Sequence, residues 1–188
     1  LARASVLPFI GLGPRHMLEQ ALVATGGIPE GQFARLFDDF LASYENNIAV
    51  ESRLFEGVIA GLEKLDHAGI CYGVVTNKLE YLAEKLLAEL GILKRMKFVI
   101  GGDTLGPGNA KPSRAPLAEM ISRCGGGRAA FVGDSIHDIQ AARNGGVDII
   151  LLCKDPDMMP ESQARPDGIV RHVDELWGML NEVGARGH

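Results

Sequence analysis

The spacing of apolar residues along this chain changes period at Gly57. Before it the pattern is helical: Pro14 to Ala24 sets Met17, Leu18, Ala21 and Leu22 on one face, and Pro29 to Asn46 sets Phe33, Leu36, Phe37, Phe40 and Leu41 on another. Gly26 and Gly27 separate the two runs, so residues 1–52 read as a helical hairpin that must pack on something else, a partial cap. From Gly57 helical and strand-like stretches alternate. Helices are predicted at Gly57 to Ala68, Leu79 to Leu90, Ser113 to Cys124, His137 to Asn144 and Val173 to Leu180. Between them lie the apolar runs Ile70 to Val75, Lys97 to Ile100, Arg128 to Val132 and Val147 to Cys153, with a last short one at Ile169 and Val170. This alternation over residues 53–188 predicts an α/β fold, a doubly wound parallel sheet with helices on both faces.

Composition narrows the function classes. The 188 residues are 46% hydrophobic and 23% charged, which describes an ordinary globular protein with room for one sizeable core. A formal net charge of −5 and the lack of any long Lys/Arg run argue against nucleic acid as a partner, so any phosphate site must be local. No apolar run approaches the ~18 residues of a spanning helix, no signal-peptide layout opens the chain, and the cytoplasm is the default compartment. The three cysteines, Cys71, Cys124 and Cys153, have no metal-ligand spacing and read as thiols of a reducing compartment, with Cys71 and Cys153 buried. The Gly11 to Gly13 stretch resembles part of a dinucleotide fingerprint, but no strand precedes it and Pro14 follows, so it reads as a turn before a helix.

In parallel sheets the loops after the strands carry the chemistry. Three such loops hold candidates. The run ending at Val132 feeds Gly133, Asp134, Ser135 and Asp138, and the two carboxylates, one helical turn apart, suit a hard divalent cation such as magnesium. The same residues fit an S-x-x-D capping box, which needs no metal. After Val75 come Thr76 and Asn77, a hydroxyl and a helix start able to donate to a phosphoryl oxygen; Asn77 and Glu80 also fit an N-x-x-E cap. Lys111, before Pro112 and a helix start, offers a point charge for an anion or an ordinary solvated lysine. The three loops follow one another in chain order at the carboxyl ends of successive βα units.

These stretches, VVTNK at Val74 to Lys78, GGDT followed by Lys111 and Pro112, and VGDSIHD at Val132 to Asp138, resemble the second, third and fourth motifs of the haloacid dehalogenase superfamily of phosphohydrolases. The GLGPRHMLEQAL segment and the spacing from IGGD to KP look most like its phosphoglycolate phosphatase group. The resemblance implies a magnesium-dependent phosphatase acting on a small phosphorylated metabolite, 2-phosphoglycolate for that group, through an aspartyl-phosphate. It implies that Thr76 and the Asn77 amide bind the phosphoryl group, that Lys111 neutralises it, that Asp134 is a magnesium ligand, and that Asp138 holds metal-bound water or orients the lysine. Cap residues near Arg15 and His16 would meet the substrate's carboxylate or, equally well, form an exposed cap-helix surface. Another phosphatase or a sugar-phosphate mutase of the superfamily, or a non-catalytic phosphate- or partner-binding relative, is the alternative. The family's first motif, D-x-D-x-T/V, occurs nowhere in these residues, and with it the nucleophile is absent. In the family that motif ends a strand between those expected at Ile70 to Val75 and Arg128 to Val132. The resemblance thus implies a core lacking its first strand, and inactivity of these residues alone.

Overall fold

The computed structural model describes residues 9–27, 30–154 and 165–185. Two helices, α1 (Pro14–Ala24) and α2 (Phe33–Asn46), precede the alternation α3 (Val58–His67), β1 (Val74–Val75), α4 (Glu80–Glu89), β2 (Val99–Ile100), α5 (Ala115–Arg123), β3 (Ala130–Gly133), α6 (Ile136–Gly145), β4 (Asp148–Leu152), β5 (Gly168–Val170) and α7 (Leu176–Ala185). The α/β class and the element order are as the hydrophobic pattern predicts. The expected start of the second helix, Pro29, lies outside the described residues. The last helix begins later than expected because Val173–Glu175 form a 3-10 turn first.

All pairing is parallel, and it falls into two sheets: β1 with β2, and β3, β4, β5 in that order. β4 is the central strand of the second sheet. Its Ile149 and Leu151 face a cluster with Leu117 of α5 and Ile139, Ala141 and Ala142 of α6, while Ile150 faces Val170 and Val183 on the other side. Near-continuous burial of β4 is what helices on both faces require. Among the described residues β1 has a neighbour on one side only, through Val74 N–H to Phe98 O and Thr76 N–H to Ile100 O, each 3.0 Å. One-sided pairing accounts for strands shorter than their apolar runs: β1 covers Val74–Val75 of the expected Ile70 to Val75. β1 and β3 do not pair with each other, yet Val75 and Phe131 pack against the same core cluster.

Helices α1 and α2 meet through the Arg15 guanidinium, 4.8 Å from the Phe33 ring and 5.4 Å from the Phe37 ring. Neither helix buries a side chain fully, as expected of a two-helix layer with little to cover it. Polar contacts seat it on the core: Lys85 pairs with Glu45 at 3.0 Å, and the Lys78 ammonium lies 4.4 Å from the Tyr44 ring while donating to its hydroxyl. No helix among the described residues is long and apolar enough to cross a membrane. One expectation is corrected. Cys71 and Cys124 are joined in a disulfide, Cα atoms 5.8 Å apart, and Cys71 is exposed; Cys153 is buried as expected. Chain spacing is blind to this pairing, because the fold sets the run before β1 beside the end of α5.

Candidate active site

β3 delivers its chain to α6 through a turn made tight by Gly133. A Cβ there would lie 2.4 Å from Asp138 Cβ, so only glycine lets the carboxylate approach this closely. Ser135 is extended and caps α6: its Oγ accepts from Asp138 N–H at 3.3 Å, and Asp138 Oδ2 accepts from Ser135 N–H at 3.0 Å. This is the capping box that the S-x-x-D spacing allows. Oδ2 also takes the Asp134 amide at 3.1 Å and the Ser135 hydroxyl at 2.7 Å.

The other oxygen of Asp138 is held by Lys111. Nζ donates to Oδ1 at 2.7 Å and to the Val75 carbonyl at 2.9 Å, and lies 5.1 Å from the Phe131 ring. The pair is enclosed, with side-chain exposures of 11% for Lys111 and 5% for Asp138. Asn77 sets the lysine's backbone: its Oδ1 accepts from Lys111 N–H at 2.8 Å, and its Nδ2 donates to Lys111 O at 2.9 Å and to Gly11 O at 2.7 Å. The alternative of Asn77 as a helix cap is therefore corrected. Helix α4 begins at Glu80, whose N–H goes to Asp103 Oδ1 at 2.8 Å. Thr76 is the residue after β1, and its hydroxyl oxygen accepts from Lys78 N–H at 3.1 Å, which leaves the hydroxyl proton for another acceptor. The Asn77 N–H likewise meets no described acceptor.

Asn77 after β1, Lys111 from the loop after β2, and Asp134 and Asp138 after β3 are thus linked by hydrogen bonds, and Thr76 adjoins Asn77 in the chain. Their electrostatics diverge. Burial alone would raise the Asp138 pKa, but the Lys111 charge and the hydrogen bonds from Lys111, Ser135 and the Asp134 amide bring it below the ordinary value. At Asp134 burial and the Asp138 charge raise it, outweighing Lys111. His137, beside them, is lowered by burial first; Lys111 and His16 add to this, and Asp138 opposes. Among the described residues no group of three His, Cys, Asp or Glu side chains could enclose a metal ion. Asp134 has carboxylate oxygens that accept from no other described residue, which fits a cation held by one protein carboxylate, water and phosphate oxygens.

Two partners here escape the motifs. The Val75 carbonyl and the Gly11 carbonyl are backbone groups, and only the apolar run ending before Thr76 and the glycines before Pro14 hint at them. The profile of haloacid dehalogenase-like hydrolases matches residues 1–152. The chain belongs to this family. Among its haloacid dehalogenase-like relatives, a phosphoglycolate phosphatase of Xanthomonas campestris pv. campestris (strain 8004) is 38% identical over 146 residues, 77% of this chain and 64% of the relative. The match thus spans less than two thirds of that relative's length. A phosphoglycolate phosphatase of Agrobacterium fabrum is 34% identical over 92% of this chain and 75% of the relative. The crystal structure of a predicted phosphoglycolate phosphatase from Haemophilus somnus 129PT superposes with a TM-score of 0.84 at 26% identity, covering 95% of this chain and 82% of that one.

Proposed function

We propose that the chain is the cap and most of the core of a magnesium-dependent phosphatase for a small phosphorylated metabolite, with 2-phosphoglycolate, named by its relatives, as substrate. Residues 1–52 serve as the partial cap and 53–188 as the core. The Thr76 hydroxyl and the Asn77 amide donate to phosphoryl oxygens, and Lys111 neutralises charge on the phosphoryl group, since phosphoryl transfer is accelerated mainly by positioning and charge. Asp138 holds Lys111 in place. Magnesium, with Asp134 as its carboxylate ligand, supplies further charge neutralisation when bound. The family's acceptor is an aspartate, whose oxygen bonds to phosphorus as the ester oxygen leaves; water then releases inorganic phosphate and restores the carboxylate. These residues hold no D-x-D-x-T/V, and we infer that the strand bearing it seats between β1 and β3.

The observation that carries this reading is the position of the Lys111 ammonium, between Val75 O of β1, Phe131 of β3 and Asp138 of α6. It lies where an acceptor on an intervening strand would end. The test is a chimera with the amino-terminal segment of the Agrobacterium fabrum relative placed before Leu1. We expect magnesium-dependent phosphate release from 2-phosphoglycolate by the chimera, none by the 188 residues alone, and loss on Lys111→Ala or Asp134→Asn. A folded chimera without activity would overturn the phosphatase reading, and turnover by the chain alone would overturn the missing acceptor.

A further inference from the structure

Lys111 and Thr76 account for the phosphoryl end of a substrate and leave its other end unrecognised. A small phosphorylated acid carries a carboxylate there, which needs an N–H donor not already committed. The nearby cations each have a partner within the protein. Lys111 is held by Asp138 and Val75 O; Lys78 donates to the Tyr44 hydroxyl; Arg15 lies over Phe33 and Phe37 and pairs with Glu19 at 3.4 Å. Two imidazoles remain. His16 is in the first turn of α1 and His137 in the first turn of α6, and neither ring makes a hydrogen bond with a described residue. His16 stands five residues after Gly11, whose backbone lies against the His137 ring.

The cap turn brings them together. Asn77 fastens Gly11 O at 2.7 Å, and a Cβ on Gly11 would sit 3.0 Å from His137 Cδ2 and 3.5 Å from its Nε2. Gly11 also has a φ of 116°, a conformation open to glycine and strained for other residues, so bare backbone lies against the ring. Three residues after Gly13, His16 follows on the helix that this turn starts.

We propose that His16 and His137 form a subsite for the non-reacting carboxylate of the substrate, at the junction of the cap turn and α6. The inference rests on the phosphatase reading of the adjoining Lys111 site. Each imidazole offers one N–H in its neutral form, one from the cap and one from the core, and together they take the two carboxylate oxygens. A phosphate ester without the carboxylate leaves both donors unpaired, so the pair sets specificity as well as affinity.

The test compares 2-phosphoglycolate, ethyl phosphate and inorganic phosphate as ligands of the 188-residue chain, by calorimetry and by NMR of the imidazole C–H signals. We expect 2-phosphoglycolate to bind roughly tenfold or more tightly than ethyl phosphate, the worth of one charge-assisted hydrogen bond. It should move the signals of both histidines, while phosphate moves neither. His16→Ala and His137→Ala should each bring the two esters close together in affinity with phosphate binding unchanged, and His137→Gln, which keeps an N–H, should restore part of the preference. Phosphate binding in each variant reports that it is folded; if His137→Ala fails that control, His16→Ala and the imidazole signals of the parent chain decide. Equal affinities for the two esters in the parent, or a preference that survives both substitutions, would overturn the subsite and leave the phosphatase reading standing. A folded parent chain that binds none of the three would overturn the subsite, while phosphate release by the chimera tests the phosphatase reading separately.

Discussion

At Asp138 one carboxylate caps a helix and anchors a lysine at once, with Oδ2 on Ser135 and the Asp134 amide and Oδ1 on Lys111. Its charge is fully engaged by the protein, whereas the carboxylate of Asp134, four residues earlier, accepts from no other described residue. The two carboxylates should therefore respond oppositely to pH. Asp138 has a lowered pKa, so the unfolded chain binds more protons than the folded one below the ordinary value of 3.8. Its stabilisation is present in full above that value and is lost as pH falls through the folded pKa. Asp134 is raised, so its contribution is present below 3.8 and is lost as pH rises through its folded pKa. We expect Asp138→Ala to cost about 3–5 kcal/mol in urea denaturation at neutral pH, because it strands a buried ammonium, and the gap to the parent to narrow below about pH 4. Asp134→Asn should be neutral or stabilising at neutral pH. A constant gap across the range would mean that Asp138 acts through packing instead. The sequence offered capping and metal binding as rivals for these two residues. In the structure capping falls to Ser135 and Asp138, and the spacing could not show this because Lys111, which completes the arrangement, comes from a different βα unit.

At the scale of elements, the alternation of periods shows where helices and strands lie but not how far each strand extends. That depends on neighbours, and β1, paired on one side only, is cut to Val74–Val75 of the run starting at Ile70. The disulfide is the other feature set by neighbours. Cys71 and Cys124 stand 53 residues apart in sequence, and the loop they close contains β1, α4 and β2 together with Thr76, Asn77 and Lys111. Closing a loop of that length restricts the unfolded chain by about 4 kcal/mol in the chain-entropy account. At roughly 2–4 °C per kcal/mol for a chain of this size, reduction should lower the melting temperature by about 8–16 °C. Cys71→Ser should melt with the reduced parent and be insensitive to dithiothreitol. A parent whose melting temperature ignores the reductant would show that the bridge contributes nothing to stability.

Across the whole molecule, the two sheets share a core without sharing a ladder. Between α3 and the second sheet lies a cavity of about 270 Å³ lined by Val58, Leu62, Leu65, Val132, Leu176 and Trp177. Val132, in the middle of β3, is 37% exposed, although strands of a parallel sheet covered on both faces are ordinarily buried. The strand proposed between β1 and β3 would lie along the edge of β3 that is unpaired among the described residues. If that strand buries about four aliphatic side chains at ~1.5–3 kcal/mol each, it adds roughly 6–12 kcal/mol, comparable to the whole stability of a domain. The same substitution should then have very different effects in two contexts. In the 188 residues alone Val132→Thr should change stability by less than about 0.5 kcal/mol, as at other partly exposed sites. In the chimera bearing the relative's amino-terminal segment, Val132 would be enclosed, and the substitution should cost about 1–3 kcal/mol for a buried hydroxyl without a partner. Equal costs in the two contexts would mean that the added segment leaves the β3 edge uncovered, and the strand would have to be sought elsewhere on the fold.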